Sequence, residues 1–292
     1  MLLDRKTFLK DLSLLAGVGL ISGGVSADTI FRFRANFQLG FVTYLWGKDW
    51  DVKTIIKNCT ATNIHGVELR VEHAHKVMAE LTARERAEVK KRFGDSPVKI
   101  IGLGTNQQYD YPDAGKLKSS MERTKEFIRL SADVGGSGVK VKPNALHKEV
   151  AVEKTLEQIG QSLHELAEYA AGLGQQLRLE VHGEETQELP NIKKIMEYAN
   201  HPNARICWNC NPQDLNGQGF QSNFDLVKQY FGDTIHVREL DRTDYPYKEL
   251  LSNLGKMDYK GWVLLECHTN PEDKVKSMME QRKVFDRMIA EV

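Results

Sequence analysis

The sequence predicts a (β/α)8 TIM barrel, and two observations carry that prediction. Eight short runs rich in β-branched and other apolar residues start at 39, 66, 98, 138, 177, 204, 234 and 261, a mean spacing of about 32 residues, the length of one strand–helix unit. Each run is followed by a segment of helical period, and no linker or low-complexity stretch divides the chain beyond its first few dozen residues. A chain of 292 residues has room for one such barrel, which takes about 250. A doubly wound open sheet competes, but the first strand–helix loop, Trp46-Gly47-Lys48-Asp49, lacks the G-x-G-x-x-G phosphate fingerprint.

In chain order, strands are expected at 39–44, 66–70, 98–103, 138–142, 177–181, 204–208, 234–237 and 261–267, because each run is short, apolar and bounded by turn or polar residues. Helices are expected between them at 52–62, 83–93, 117–134, 152–173, 192–199, 224–231, 247–256 and 271–291. The fourth is the clearest: Leu156, Ile159, Leu163, Leu166, Ala167 and Ala170 form one apolar stripe, and Ala171-Gly172-Leu173-Gly174 ends it with glycine.

Basic and acidic residues number 40 each, so the summed field has no general attraction for nucleic acid or an anionic membrane surface. Apolar residues at 41% with charged residues at 27% fit a globular protein and argue against disorder or a multi-span membrane protein. Cys59, Cys207, Cys210 and Cys267 are too few and scattered for a disulfide scaffold, and Cys207-x-x-Cys210 has no second pair to complete a zinc site.

Residues 1–27 have the three parts of an export signal: Arg5, Lys6 and Lys10 at the start, an apolar run over 12–21, and the small-residue stretch Val25-Ser26-Ala27. That run is shorter than the about 20 residues a transmembrane helix needs. Asp4-Arg5-Lys6-Thr7-Phe8-Leu9-Lys10 resembles the twin-arginine motif, with Lys6 where the second Arg would stand. The expectation is a periplasmic protein with one domain over 28–292, near neutral at 37 basic and 38 acidic residues, and with no membrane attachment after the signal is removed.

In a parallel barrel the strand C-termini open onto one face, where the following loops build the site. Alternate residues point the same way, so Glu180 and His182 share the inner face of strand five, Asn209 closes strand six, His236 lies inside strand seven, and Glu266 and His268 share a face of strand eight. Two carboxylates and an imidazole in a confined cavity repel and desolvate poorly without a counter-charge, and a divalent cation resolves this. Carboxylate, imidazole and amide oxygen donors suit Mn²⁺, Co²⁺, Mg²⁺ or Zn²⁺. The plainer alternative pairs Glu180 and Glu266 separately with Arg178, Lys140 or Lys142.

The eight-unit chain, Gly66-Val67-Glu68-Leu69 on strand two and His236-Val-Arg-Glu239-Leu-Asp-Arg242 after strand seven resemble the xylose-isomerase-like barrels, the sugar phosphate isomerases/epimerases that include D-tagatose 3-epimerase-like enzymes. The resemblance covers the whole mature chain. It implies metal ligands at Glu180, Asn209, His236 and Glu266, and substrate contacts at Glu68 and at Arg242, six residues after the ligand His. Two positions depart from the pattern: Asn209 replaces an Asp, and Pro212 replaces a His. The first removes a unit of ligand charge and the second a substrate contact; Asp214 is the nearest carboxylate that could reach back.

The chemistry this implies is isomerisation or epimerisation of a small carbohydrate through a cis-enediolate, with Glu180 and Glu266 as base and acid, Arg242 neutralising oxyanion charge and His182 contacting substrate. Expulsion of a β-leaving group by the same enolate would make a lyase or hydratase, and loss of catalysis a carbohydrate-binding barrel. An abasic-site endonuclease on this fold needs a richer His/Asp/Glu cluster and phosphate affinity. Export favours a free sugar over a sugar phosphate, and no Gly-rich loop follows strands seven or eight. Lys142 at the rim and the aromatics Trp46, Tyr44, Trp208 and Tyr109 near strand ends are the expected sugar contacts. The sequence leaves room for a homo-oligomer and names none.

Overall fold

The computed structural model describes residues 35–291; the export segment 1–27 and the domain boundary at 28 lie outside them. The strands are β1 (Gln38–Val42), β2 (Gly66–Arg70), β3 (Lys99–Gln108), β4 (Gly138–Lys142), β5 (Gln176–Glu180), β6 (Ala204–Cys207), β7 (Thr234–Val237) and β8 (Trp262–Leu265). Between and after them run α1 (Val52–Ala61), α2 (Ala83–Gly94), α3 (Ala114–Val134), α4 (Val152–Ala171), α5 (Leu189–Ala199), α6 (Phe220–Val227), α7 (Tyr247–Lys256) and α8 (Lys274–Ala290). Strand starts fall where the apolar runs begin because each strand is buried on both faces by the helix layer and the barrel interior.

All strand pairs are parallel, in the order β6-β5-β4-β3-β2-β1-β8-β7. β1 therefore joins β2 to β8, and the order has no switch point of the kind a doubly wound sheet requires. The seam between β6 and β7 is closed by single bridges, Ile206↔Phe231 and Asn209↔His236, with His236 N donating to Trp208 O at 2.7 Å. The result is a nearly closed (β/α)8 barrel.

Helix ends follow local chemistry. Thr82 and Glu85 form a reciprocal capping box at the start of α2, and Asp113 caps α3 by accepting from Lys116 N. The apolar stripe of α4 is buried as its period requires. The N-terminal end of the barrel interior is plugged by Arg178, whose guanidinium meets Ser137, Asp233 and the Ile101 carbonyl. Among the described residues no helix is long and apolar enough to cross a membrane.

Candidate active site at the barrel mouth

Strand alternation delivers inward-facing residues in pairs, and the pairs form two tiers. Glu68, Lys140, Glu180, His236 and Glu266 make a buried lower tier. Two positions further along each chain stand Arg70, Lys142, His182, Arg238 and His268; of these Lys142, His182 and Arg238 are half-buried and His268 is exposed. Gly183, with φ +103°, turns the chain directly after His182, where any Cβ would lie 1.8 Å from the Asn144 carbonyl oxygen.

In the lower tier Nδ1 of His236 lies 3.4 Å from Oε2 of Glu266 and 3.7 Å from Oε1 of Glu180. Glu180, His236 and Glu266 each offer one ligand atom within 4.8 Å of the others, the one such group among the described residues. The His236 ring is fully buried, yet neither of its nitrogens has a hydrogen-bond partner. A buried imidazole between two carboxylates calls for a positive charge there, either its own proton or a cation that the three side chains hold together. These donors fit a divalent ion.

On the other side of the ring, Oε1 of Glu68 lies 3.3 Å from Nε2 of His236. Glu68, expected as a substrate contact, is fully buried and lies behind the imidazole, outside the residues that line the mouth cavity. Glu180 has a second partner, with Lys140 Nζ donating to its Oε2 at 2.6 Å. Charge pairing is thus present for Glu180, by Lys140 and not by Arg178. Burial pushes the Glu180 carboxyl up, but Lys140, His236 and Lys142 together outweigh it and hold the group well below its ordinary value. Burial acts the same way on Glu266, and His236 beside it brings that carboxyl below its ordinary value.

Above this tier opens a cavity of about 350 Å³, with Glu180 and Glu266 in its wall together with Lys142, His182 and Asn209. Asn209 stands beside the cluster, its Nδ2 3.4 Å from Asn211 Oδ1. The Nδ1 of His182 is buried without a partner, and burial pushes the ring toward neutrality. Burial, and then the neighbouring Lys140, lower the Lys142 ammonium from its ordinary value.

Other expected contacts lie elsewhere. Arg242 is held by Asp244 outside the cavity wall. Trp46 is 2% exposed and donates Nε1 to the Thr269 carbonyl. Trp208 is fully buried among Phe220, Phe224 and Phe231 and donates to Tyr245 Oη. Tyr109 is bonded to Thr124 in the core. Of the four aromatics, Tyr44 alone faces the cavity, close to the His268 ring at 5.4 Å. Asp214 is no reserve ligand: its Oδ2 accepts from Asn211 N and Tyr245 Oη, and it is fully buried. Glu239 accepts from His268 N, Thr269 N and Thr269 Oγ1, tying down the loop after β8.

Sequence reasoning missed Arg70 and Arg238, both in the cavity wall. The signal was available: each lies two residues beyond an inward-facing residue, Glu68 and His236, on the same strand face.

The nearly closed barrel carries at its mouth a Glu/His/Glu cluster that could hold a divalent ion, and the chain belongs to the xylose isomerase-like TIM barrel family, which matches residues 56–286. No curated protein matches it by sequence. Among solved structures it is similar to L-ribulose 3-epimerase, with a TM-score of 0.74 at 13% identity over 87% of this chain and 95% of that one. It is also similar to 3-keto-D-glucoside 4-epimerase from E. coli, with a TM-score of 0.70 at 12% identity over 86% and 98%. A third similar structure is a probable 3-DHS dehydratase from Bacillus anthracis, with a TM-score of 0.66 at 12% identity over 86% and 99%. At these identities the likeness is one of fold.

Proposed function

We propose that the protein is a metal-dependent isomerase or epimerase of a small, non-phosphorylated sugar or keto-sugar. The observation that carries this reading is the convergence of Glu180, His236 and Glu266, with ligand atoms within 4.8 Å of one another, in and beneath an open cavity. Glu180, His236 and Glu266 would hold the ion, with Asn209 on the adjoining wall, and when bound it would polarise a substrate carbonyl lying beside a hydroxyl.

The chain's own residues supply the proton chemistry. Glu180 and Glu266 both line the cavity: the ionised carboxylate of one takes the C–H proton and leaves a cis-enediolate, and the other, once it has taken up a proton from solvent, returns that proton to carbon. Return to the opposite face gives an epimer, and return to the neighbouring carbon an isomer. Lys140 keeps Glu180 ionised before the transfer. His182 lines the cavity where substrate oxygens would lie, and Tyr44 offers a flat face to C–H surfaces. The two similar epimerase folds support the reading at the level of the scaffold, and the export signal expected from the sequence of residues 1–27 would favour an unphosphorylated substrate.

The test is elemental analysis of the purified protein together with deuterium uptake from D₂O into a panel of keto-sugars supplied with Mn²⁺, Co²⁺, Mg²⁺ or Zn²⁺. Stoichiometric metal and solvent exchange at one carbon are expected, with product analysis separating epimer, isomer and dehydrated product. Glu180→Gln should abolish exchange while sugar still binds. A protein with neither metal nor exchange would overturn the proposal.

A further inference from the structure

The two tiers of the mouth differ in sign. In the lower tier, Glu180 is matched by Lys140 at 2.6 Å and Glu266 faces His236 at 3.4 Å. In the upper tier, Arg70, Lys142 and Arg238 all line the same cavity. Among the described residues, none of these three has a carboxylate within the 4.0 Å of an ion pair. The Nε atoms of Arg70 and Arg238 are buried without hydrogen-bond partners. Arg70 spends its Nη2 on the neutral Asn106 and lies over the Tyr44 ring. Surface arginines of the same chain do find acids, as Arg86 does with Asp133, Arg123 with Glu80 and Arg282 with Asp286.

Three cations around one small cavity repel, and an anion placed between them offsets both that repulsion and their desolvation. A divalent ion in the lower tier would add to the excess. We propose that the substrate itself carries a carboxylate, so that the site takes a sugar acid or a polyhydroxy keto-acid and holds it with Arg70, Lys142 and Arg238. Planar guanidinium forks match a carboxylate in two-point contact. A phosphate fits less well, because barrels that bind one use the loops after strands seven and eight, and the loop after β7 carries Asp241 and Asp244. This inference shares with the proposed function only the assignment of the cavity as the substrate site.

The experiment is calorimetric titration of the full chain, with and without added Mn²⁺, using matched ligands: D-glucuronate against D-glucose, D-galacturonate against D-galactose, and glucose 6-phosphate. At least one acid should bind about tenfold or more tighter than its neutral parent, and tighter than the phosphate. Arg238→Met should bring the acid-to-neutral affinity ratio down about tenfold. Lys142→Met, at a half-buried position, gives the same reading should the arginine variant fail to fold. Equal or weaker binding of every acid, tighter binding of glucose 6-phosphate, or an unchanged ratio in both variants would overturn the inference. Acid preference in a protein that holds no metal would leave it standing while removing the isomerase proposal; solvent exchange into a neutral ketose without acid preference would do the reverse.

Discussion

Glu68 and His236 face each other at 3.3 Å inside the barrel, both fully buried, with the Glu68 carboxylate on the Nε2 side of the ring and the candidate ligand atom Nδ1 on the other. A carboxylate at Nε2 favours the tautomer with its proton there, which leaves the Nδ1 lone pair free for a cation. Glu68→Gln removes that charge at constant shape, and metal affinity should fall by about 10–100-fold, measured by competition with a calibrated chelator. Gly104→Ala is an independent route to the same effect, since its Cβ would come within 2.6 Å of Glu68 Oε1 and displace it. Unchanged affinity in both variants would remove Glu68 from the site.

Lys140 and Glu180 form an ion pair with side chains 0% and 2% exposed. Breaking one partner of such a pair strands the other charge in the interior, so Lys140→Met should cost about 3–5 kcal/mol in urea unfolding of chelator-treated protein. Adding Glu180→Gln removes the stranded charge and should recover a large part of that loss. A double variant no more stable than Lys140→Met would show that the pair does not couple.

The spacing and apolar character of the strands made the barrel legible, and β2, β4 and β7 fall on the expected residues. β3 runs five residues past its expected end because Thr105-Asn106-Gln107-Gln108 carries no apolar pattern; it continues by pairing, with Gln108 opposite Lys142 after a register break. Helix starts were the weakest feature: α5 begins three residues early at Leu189, with Pro190 in its first turn, and α6 four residues early at Phe220. Within the lower tier, the inward direction of Glu180, His236 and Glu266 is legible from alternation along their own strands. Glu68 is placed near substrate only by the family resemblance; its depth along the barrel axis depends on stagger between strands, which no single strand carries. Arg242 lies beyond the last residue whose direction alternation fixes, in a loop where Asp244 captures it.

Alternation also separates Trp208 from Tyr44. With Asn209 facing the cavity, its neighbour Trp208 must face the helix layer, where it meets three phenylalanines. Trp208→Ala should therefore cost about 3–5 kcal/mol in unfolding free energy. Tyr44→Ala should leave stability nearly intact and weaken ligand binding about tenfold, the loss of one aromatic contact. Calorimetry on both variants tests the assignment, and a stable Trp208→Ala protein with impaired binding would reverse it.

Asp214 gives the barrel a pH-dependent element behind the site. Burial drives its carboxyl up from 3.8 to about 7, against the partial opposition of the hydrogen bonds from Tyr245 and Asn211. Below about pH 4 the group is protonated in both folded and unfolded chains. As pH rises, the unfolded chain releases this proton first, so stability declines until the folded carboxyl also ionises near 7; over that window the loss approaches about 4 kcal/mol. Asp214→Asn should abolish this slope at little structural cost, because both donors converge on Oδ2, a position an amide oxygen can occupy. Urea unfolding of the two proteins between about pH 4 and pH 8 should give curves that nearly meet at the acid end, with the asparagine variant more stable at the alkaline end. Parallel curves across that range would mean that Asp214 is ionised in the folded protein throughout.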